Sequence, residues 1–513
     1  MKDYSKDMYR QMEELFARVD ELTGKVESLT AELNRERAKS KEKDQKIRRL
    51  EKRVQLLEET VERKDAEINR LRTTNAVLTR ANAVLQDEVA RLKSQQQNDS
   101  SNSSNPPSSD QKGGKSANTY NSRKKTEKKQ GAQKGHEGTT LTKQKAEELL
   151  ASGKCKHTIQ EHGDPRSGNY TVKYEFDINI EPVIIEHRIY SGGKIPEGLR
   201  SDVTYGVKVK ALAAELYGIG VVSFDRIQEI ISSITNGIMN ISAGAIYGFC
   251  RKLSIQAKSS LDRIEQHILN GSVAYTDATV VTMDGKQCYV RNVSSKDAVR
   301  YYAMEKKNLE ELSKLELLTK FAGVLIHDHE TSLYHFGLEH GECNAHLLRY
   351  LLKNTEDCSS TWSSKLTELL YEMKKYRDEA AASGKSSFSA QEIERFTERY
   401  QEIIQLGRKE NETTRPKWAK QEENALLNRL EKYRDNHLLF LRRFDVAFTN
   451  NLSERDLRKC KNRQKVSGGF RNMDGCKMFA DILSVIETAK RMKMGVFDSI
   501  VSLFQSPAPV FCF

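Results

Sequence analysis

Nowhere in this chain of 513 residues do eighteen apolar residues run together, so a membrane-spanning helix is not expected. The opening Met1-Lys-Asp-Tyr-Ser-Lys-Asp7 has no apolar core, and no secretory leader is expected there. The 8 cysteines are scattered without the paired spacing of a disulfide framework, which leaves reduced thiols and a cytoplasmic setting as the expectation. Acidic residues are the scarcer charge: 72 Asp and Glu face 84 Lys and Arg, for a formal net charge of +12. That balance favours a polyanionic partner, although ribosomal and membrane-surface proteins share it. With 37% hydrophobic residues, the length is enough for two or three domains and at least one proper core.

Residues 12 to 93 hold one heptad register without a break. Val19, Val26, Leu33, Ile47, Val54, Val61 and Ile68 fall at position a, and Leu15, Leu22, Leu29, Leu50, Leu57, Leu71, Leu78, Leu85 and Leu92 at position d. β-Branched residues at a with Leu at d favour a parallel dimer, and Asn75 and Asn82 at successive a sites would exclude higher oligomers. Residues 1–94 therefore read as a parallel dimeric coiled coil, because a lone helix would leave this stripe bare. From 95 to 140 the composition collapses into Ser, Asn, Gln, Gly and Lys, which cannot bury enough apolar surface to offset ordering; a flexible basic linker is expected. Between Lys112 and Lys134 it carries eight Lys or Arg against the single Glu127. Such a stretch is either a solvated tether or an arm that tracks DNA, with Lys124, Lys125, Lys128 and Lys129 as its contacts.

Residues 141–200 contain a strand-rich stretch from Tyr170 to Tyr190, and 201–270 read as helices: Lys208 to Leu216, Ser223 to Ile234, and Ser242 to Ile268 after an Asn236-Gly237 turn. The tight turn gives a helix-turn-helix-like arrangement, which either binds DNA or buttresses a core.

Two short apolar runs then break off at an aspartate, Gly271-Ser-Val-Ala-Tyr-Thr-Asp277 and Phe321-Ala-Gly-Val-Leu-Ile-His-Asp328. Both are too short for helices and read as buried strands with an aspartate at the C-terminal end. Between them lie two more strand-like runs, Lys286 to Asn292 after an Asp284-Gly285 hairpin signal and Val299 to Ala303, followed by an amphipathic stretch, Leu309 to Lys320. Neighbouring strands would bring Asp277 and Asp328 together, where they repel unless cations lie between them. Two aspartates and one further carboxylate suit magnesium or manganese and two-metal phosphoryl chemistry; capping a strand in solvent is the plainer role. Glu454 is the candidate third carboxylate, in the first turn of a helix begun by Asn451 or Ser453 and followed by Arg455, Arg458 and Lys459.

Five stretches occur together in one order: Asn102-Ser-Ser-Asn-Pro-Pro-Ser-Ser-Asp110, Gly131-Ala-Gln-Lys-Gly-His136-Glu-Gly138, the two aspartate-ended strands, Cys343-Asn-Ala-His346-Leu-Leu-Arg349-Tyr, and Asn450-Asn451-Leu-Ser-Glu454-Arg455. Over roughly residues 100 to 505 the chain thereby resembles the TnpC-type DDE transposases of insertion sequence family sixty-six. The resemblance implies an α/β fold with a ribonuclease-H-like catalytic core, residues 271–346 and 444–513, interrupted by a helical insertion over 347–443. It implies Asp277, Asp328 and Glu454 as catalytic residues and as ligands of two Mg2+ or Mn2+ ions. It implies double-stranded DNA as substrate, both element ends and target. Hydrolysis at the element end frees a 3′-hydroxyl, which then attacks the target, while Arg455, Arg458 and Lys459 steady phosphates. Accessory proteins from the same element and a second copy of the chain are the expected partners, and the bacterial nucleoid the expected place of work.

In that family the 141–200 region resembles a small zinc ribbon. Here Cys155 and His157 stand at the first ligand pair, but Ser191 and Gly192 replace the second, so a degenerate β module without structural zinc is expected. Cys343 and His346 lie three apart on one helical face and could hold zinc only with further partners; a structural motif beside the active site is expected. Two other departures are Ala278 after the first aspartate, where the family commonly has Glu, and His329-Glu330 after the second. They keep an inactive copy open as an alternative. So do a non-catalytic coiled-coil DNA-binding protein and a nuclease that cuts without joining.

Overall fold

The computed structural model describes residues 4–96, 142–162, 168, 171–196, 198–199 and 201–513. The chain divides into two units, Met1–Lys93 and Ser94–Phe513. The linker lysines Lys124, Lys125, Lys128 and Lys129 lie outside the described residues. No helix among the described residues is long and apolar enough to cross a membrane.

The first unit is the body of one helix, α1 (Tyr4–Gln96), whose 93 residues contain no proline. At about 1.5 Å per residue it runs on the order of 140 Å. Exposed pairs such as Lys25 with Glu21 and Lys39 with Glu36 line its surface, each contributing a few tenths of a kcal/mol at most. Its heptad stripe is open: Leu15 is 64% exposed, Leu29 65% and Leu85 61%.

The second unit begins with α2 (Lys143–Ala151), capped by the Thr142 side chain. Between Ser152 and Gly206 no described residue lies in a helix or strand, which corrects the expected β module. Ile178, Val183, Ile184 and Ile185 are exposed there. Alternating apolar residues stabilise a strand only when a neighbour takes up its N–H and C=O groups and covers one face, and among the described residues nothing does so.

Four helices follow, α3 (Val207–Gly218), α4 (Phe224–Ile234), α5 (Ala243–Gln256) and α6 (Lys258–Leu269). The helix expected over Ser242 to Ile268 breaks at buried Ala257, so that Ile246, Cys250 and Leu253 on one piece and Leu261, Ile264 and Ile268 on the other all reach the core. The turn between α4 and α5 has Asn236 and Gly237 at positive φ, as the dipeptide demands. Both helices bury their apolar faces in the same core.

The sheet holds β1 (Val273–Met283), β2 (Lys286–Ser294), β3 (Val299–Met304), β4 (Val324–His327) and β5 (Glu339–Glu342), in the order β3-β2-β1-β4-β5. The first three form antiparallel ladders and β4 and β5 run parallel to β1. Asp284 and Gly285, both at positive φ, make the expected two-residue hairpin turn. The stretch Leu309 to Lys320 forms two short helices instead of one, α7 (Leu309–Leu312) and α8 (Glu316–Lys320), which lets Leu312, Leu317 and Leu318 all bury.

A helical block is inserted after β5: α9 (Asn344–Cys358), α10 (Trp362–Ala382), α11 (Ala390–Thr413), α12 (Lys417–Lys432), α13 (Arg434–His437) and α14 (Leu439–Arg442). Ser389 and Glu392 start α11 with a reciprocal capping box. The block has its own core of Trp362, Leu366, Phe396, Tyr400 and Leu427, which continues onto the sheet at Val324 and Ile326. Gly407 is obligatory in it, since a Cβ there would lie 2.7 Å from Leu427 and 2.9 Å from Trp362. The chain then returns to the sheet through α15 (Asn451–Ser467), α16 (Met473–Arg491) and α17 (Val496–Gln505).

Candidate carboxylate site on the sheet

Side-chain alternation puts the two aspartates on one face. Tyr275 pairs with Ile326 across the parallel β1 and β4, and Asp277 and Asp328 each follow two residues later, so both project to the side of those two residues. β1 does not end at Asp277, as expected from the sequence; it continues to Met283 because β2 remains its partner as far as Lys286. Asp277 thus lies just past the parallel pairing rather than at a strand terminus. Its Oδ1 accepts the Ala278 N–H at 2.7 Å, and its own N–H donates to Asn292 Oδ1 at 3.1 Å. Burial, and then the charge of Asp328, push its carboxyl up to about 7.

Glu454 lies on the first turn of α15. Side chains on either side of it tie the helix to the sheet. Ser453 Oγ donates to Asn292 Oδ1 at 2.6 Å, and the Asp456 carboxylate accepts from Ser294 Oγ at 2.6 Å and Asn292 Nδ2 at 3.1 Å. Asn292 is the register partner of Asp277, so this ladder position carries both. Neither Asn451 nor Ser453 caps α15 in the way the sequence indicates. Asn450 occupies the cap position, with its side-chain amide donating to Thr276 O at 2.9 Å and its N–H to Cys343 Sγ at 3.1 Å.

Cys343 and His346 come in at the start of α9. The Sγ of Cys343, a ring nitrogen of His346 and a carboxylate oxygen of Glu454 all lie within 4.8 Å of one another. His346 Nδ1 stands 3.7 Å from Glu454 Oε1, and both atoms are buried without a hydrogen-bond partner. Burial lowers the imidazole's proton affinity against the opposing pull of Asp328 and Glu454. Burial likewise pushes the Cys343 thiol up to about 12. The structure therefore brings Cys343, His346 and Glu454 together, sets Asp277 beside Asp328, and leaves the charge of Asp328 within reach of His346.

Of the basic residues after Glu454, Arg455 and Arg458 are exposed and Lys459 is half-buried. Arg455 lines a cleft of about 590 Å3 with Lys296, His267 and Tyr275. Arg463, in the same run, points the other way: it is buried over the rings of Tyr217, Phe470 and Phe479 and donates to Val222 O at 3.3 Å.

A second polar cluster went unread in the sequence. Glu342 at the end of β5 is fully buried and accepts from Arg429 Nη2 of α12 at 2.7 Å, from Tyr334 OH, and from His329 Nδ1 at 3.1 Å. His437 lies 3.6 Å from it. Burial opposes ionisation of Glu342, but the His329 bond and the charge of Arg429 hold its carboxyl well below the usual range. Burial pushes His437 down to about 4 and His327 to about 3, so both rings are neutral near pH 7 and Arg429 carries the compensating charge. His329 and Glu330, the departures after Asp328, both have partners. His329 sits at φ +69 and turns back to Glu342, while Glu330 pairs with buried Arg291 at 2.6 Å and with Lys307 at 3.0 Å.

These features define a mixed α/β protein with a five-stranded mixed sheet and buried polar side chains clustered beside it. The family described as Transposase IS66 family matches residues 204–478, just over half of the chain and a span that includes Asp277, Asp328, Cys343, His346 and Glu454. The chain belongs to that family and is a transposase, with DNA as its substrate. Residues 4–142 match a second family, described only as a family of unknown function (DUF6444). No curated protein matches the chain.

Proposed function

We propose that this transposase is a DDE enzyme with a ribonuclease-H-like core, which cuts DNA at the ends of a bacterial insertion sequence and joins the freed 3′ ends to target DNA. The observation that carries the reading is the juxtaposition of Asp277 and Asp328, close enough that burial and mutual repulsion lift Asp277 to about 7. The sheet order β3-β2-β1-β4-β5, and a carboxylate returning on α15 after a helical insertion, also support it.

A cation fits this donor set. Oxygen donors suit magnesium and manganese, the charge of Asp328 raises the carboxyl of Asp277, and Glu454 Oε1 is buried without a partner. Asp277, Asp328 and Glu454 would hold two such ions, Mg2+ or Mn2+, which supply activation of the attacking oxygen and stabilisation of the leaving one. The chain's own groups position the DNA. Arg455, Arg458 and Lys459 follow Glu454 on α15 and steady backbone phosphates, giving position and charge rather than sequence reading. Lys124, Lys125, Lys128 and Lys129 add sequence-independent attraction. A donor-plasmid assay that scores cleavage and joining separately tests the reading. Both products are expected from the wild type and neither from Asp328→Asn; cleavage without joining would point to a nuclease, and in-cell function untouched by the substitution to a non-catalytic DNA-binding protein.

The titration of Asp277 has a visible consequence. Its folded pKa, about 7, exceeds the unfolded value of about 3.9, so the folded state holds the proton more tightly. Metal-free protein is therefore expected to lose stability as pH rises from about 4 through about 7. Divalent cations take only the ionised form, so EDTA should lower the melting temperature of the globular unit clearly at pH 8 and little at pH 5. Equal effects at both pH values would contradict this.

The uncovered stripe of α1 supports the parallel dimer, which would bring two element ends into one assembly. Leu22→Glu with Leu57→Glu is expected to shift the full-length protein from dimer to monomer in sedimentation equilibrium while leaving the melting of the globular unit unchanged. Accessory proteins of the element remain part of the proposal as further partners.

A further inference from the structure

We infer that His346 is a nitrogen ligand of one of the catalytic cations, sharing that ion with Glu454; the inference rests on the DDE reading above and names a ligand that reading leaves out. His346 is 8% exposed, yet its Nδ1 has no hydrogen-bond partner and faces Glu454 Oε1, also unpartnered, at 3.7 Å. That separation is too long for a hydrogen bond. It is what two donors show when each lies about 2.1 Å from one ion, which places them about 3–4 Å apart. Leaving two buried polar atoms of complementary kind unpaired is costly, and a shared cation satisfies both.

Cys343 has a different part. Its Sγ accepts the Asn450 N–H at 3.1 Å and is buried, so the thiol holds the chain at the residue directly before the helix turn that carries Glu454. It is a positioning residue, and the Cys343–His346 pair works as one device: the thiol fixes the approach of α15, and the imidazole meets its carboxylate. Because imidazole nitrogen is a better ligand for manganese and later metals than for magnesium, the site should prefer Mn2+ over Mg2+ more strongly than an all-oxygen cage.

Pulsed electron paramagnetic resonance of untagged full-length protein titrated with Mn2+ tests this directly. The wild type should show 14N coupling from a directly bound ring nitrogen, replaced by the 15N pattern when histidine is 15N-labelled; this needs no variant. In His346→Gln the coupling should vanish while Mn2+ still binds, about 10-fold or more weakly, and the preference for Mn2+ over Mg2+ should narrow. Mn2+ binding without nitrogen coupling, or coupling that survives in His346→Gln, overturns the inference and leaves the DDE reading standing. Mn2+ binding unaffected by Asp277→Asn and Asp328→Asn overturns both. A thiolate charge-transfer band on adding Co2+ also overturns it, in favour of a separate zinc-type site through Cys343.

Discussion

Asp277→Asn is expected to abolish strand cleavage, by on the order of a thousandfold or more, while making the metal-free protein more stable by about 1–3 kcal/mol. The two effects have one cause. The substitution removes a carboxylate that burial and Asp328 hold in an unfavourable ionisation state, so the fold relaxes. It keeps an oxygen to accept the Ala278 N–H, so β1 loses no hydrogen bond. What it takes away is the charge that, in the proposed centre, binds a cation. A structural aspartate would behave oppositely, losing stability and leaving chemistry intact. Glu454→Gln should share the loss of activity. Single-turnover cleavage of an element-end duplex, together with calorimetric melting in EDTA, separates these cases.

Arg429→Met should be the most destabilising single change in the insertion, by about 3–5 kcal/mol, because it leaves the fully buried Glu342 carboxylate without its charged partner. Adding Glu342→Gln should recover part of that loss, since no buried charge then remains. The ion pair joins α12 to the end of β5, one residue before Cys343 and four before His346. Activity should therefore fall further in Arg429→Met than the fraction of unfolded protein explains. Urea melts of the two variants, followed by cleavage assays under conditions where each is folded, check both statements.

The sequence made the two aspartate-bearing strands legible because buried strands are short apolar runs with turn signals at their flanks, and Asp284-Gly285 fixed the hairpin between β1 and β2. The insertion was legible from its breaks: Ala382 to Ser387 and Thr414 to Pro416 do separate helices. Glu454 does fall in the first turn of a helix, as its place after Asn451 implied. β5 was not, since Glu339-His-Gly-Glu342 carries no apolar alternation and exists only because β4 offers it a parallel partner. The reverse error befell residues 171–190, where the alternation is present but no partner strand is. The Glu342 cluster could not be read at all. Its members come from β5, the segment after Asp328, α12 and α13, and a lone Glu or Arg in a chain this rich in charge carries no local signal. His329 and Glu330 looked like losses from a family pattern, yet each has a charged or hydrogen-bonded partner. The pairing of His346 with Glu454 was equally hidden, because spacing alone shows that Cys343 and His346 share a helix face but not what they face.

The most direct test is anomalous diffraction from crystals of the protein with an element-end duplex and Mn2+. Two peaks about 3.5–4 Å apart, within coordination distance of the Asp277, Asp328 and Glu454 carboxylates, are expected. Manganese bound elsewhere, or bound by the aspartates with Glu454 turned away from it, would contradict a single three-carboxylate centre.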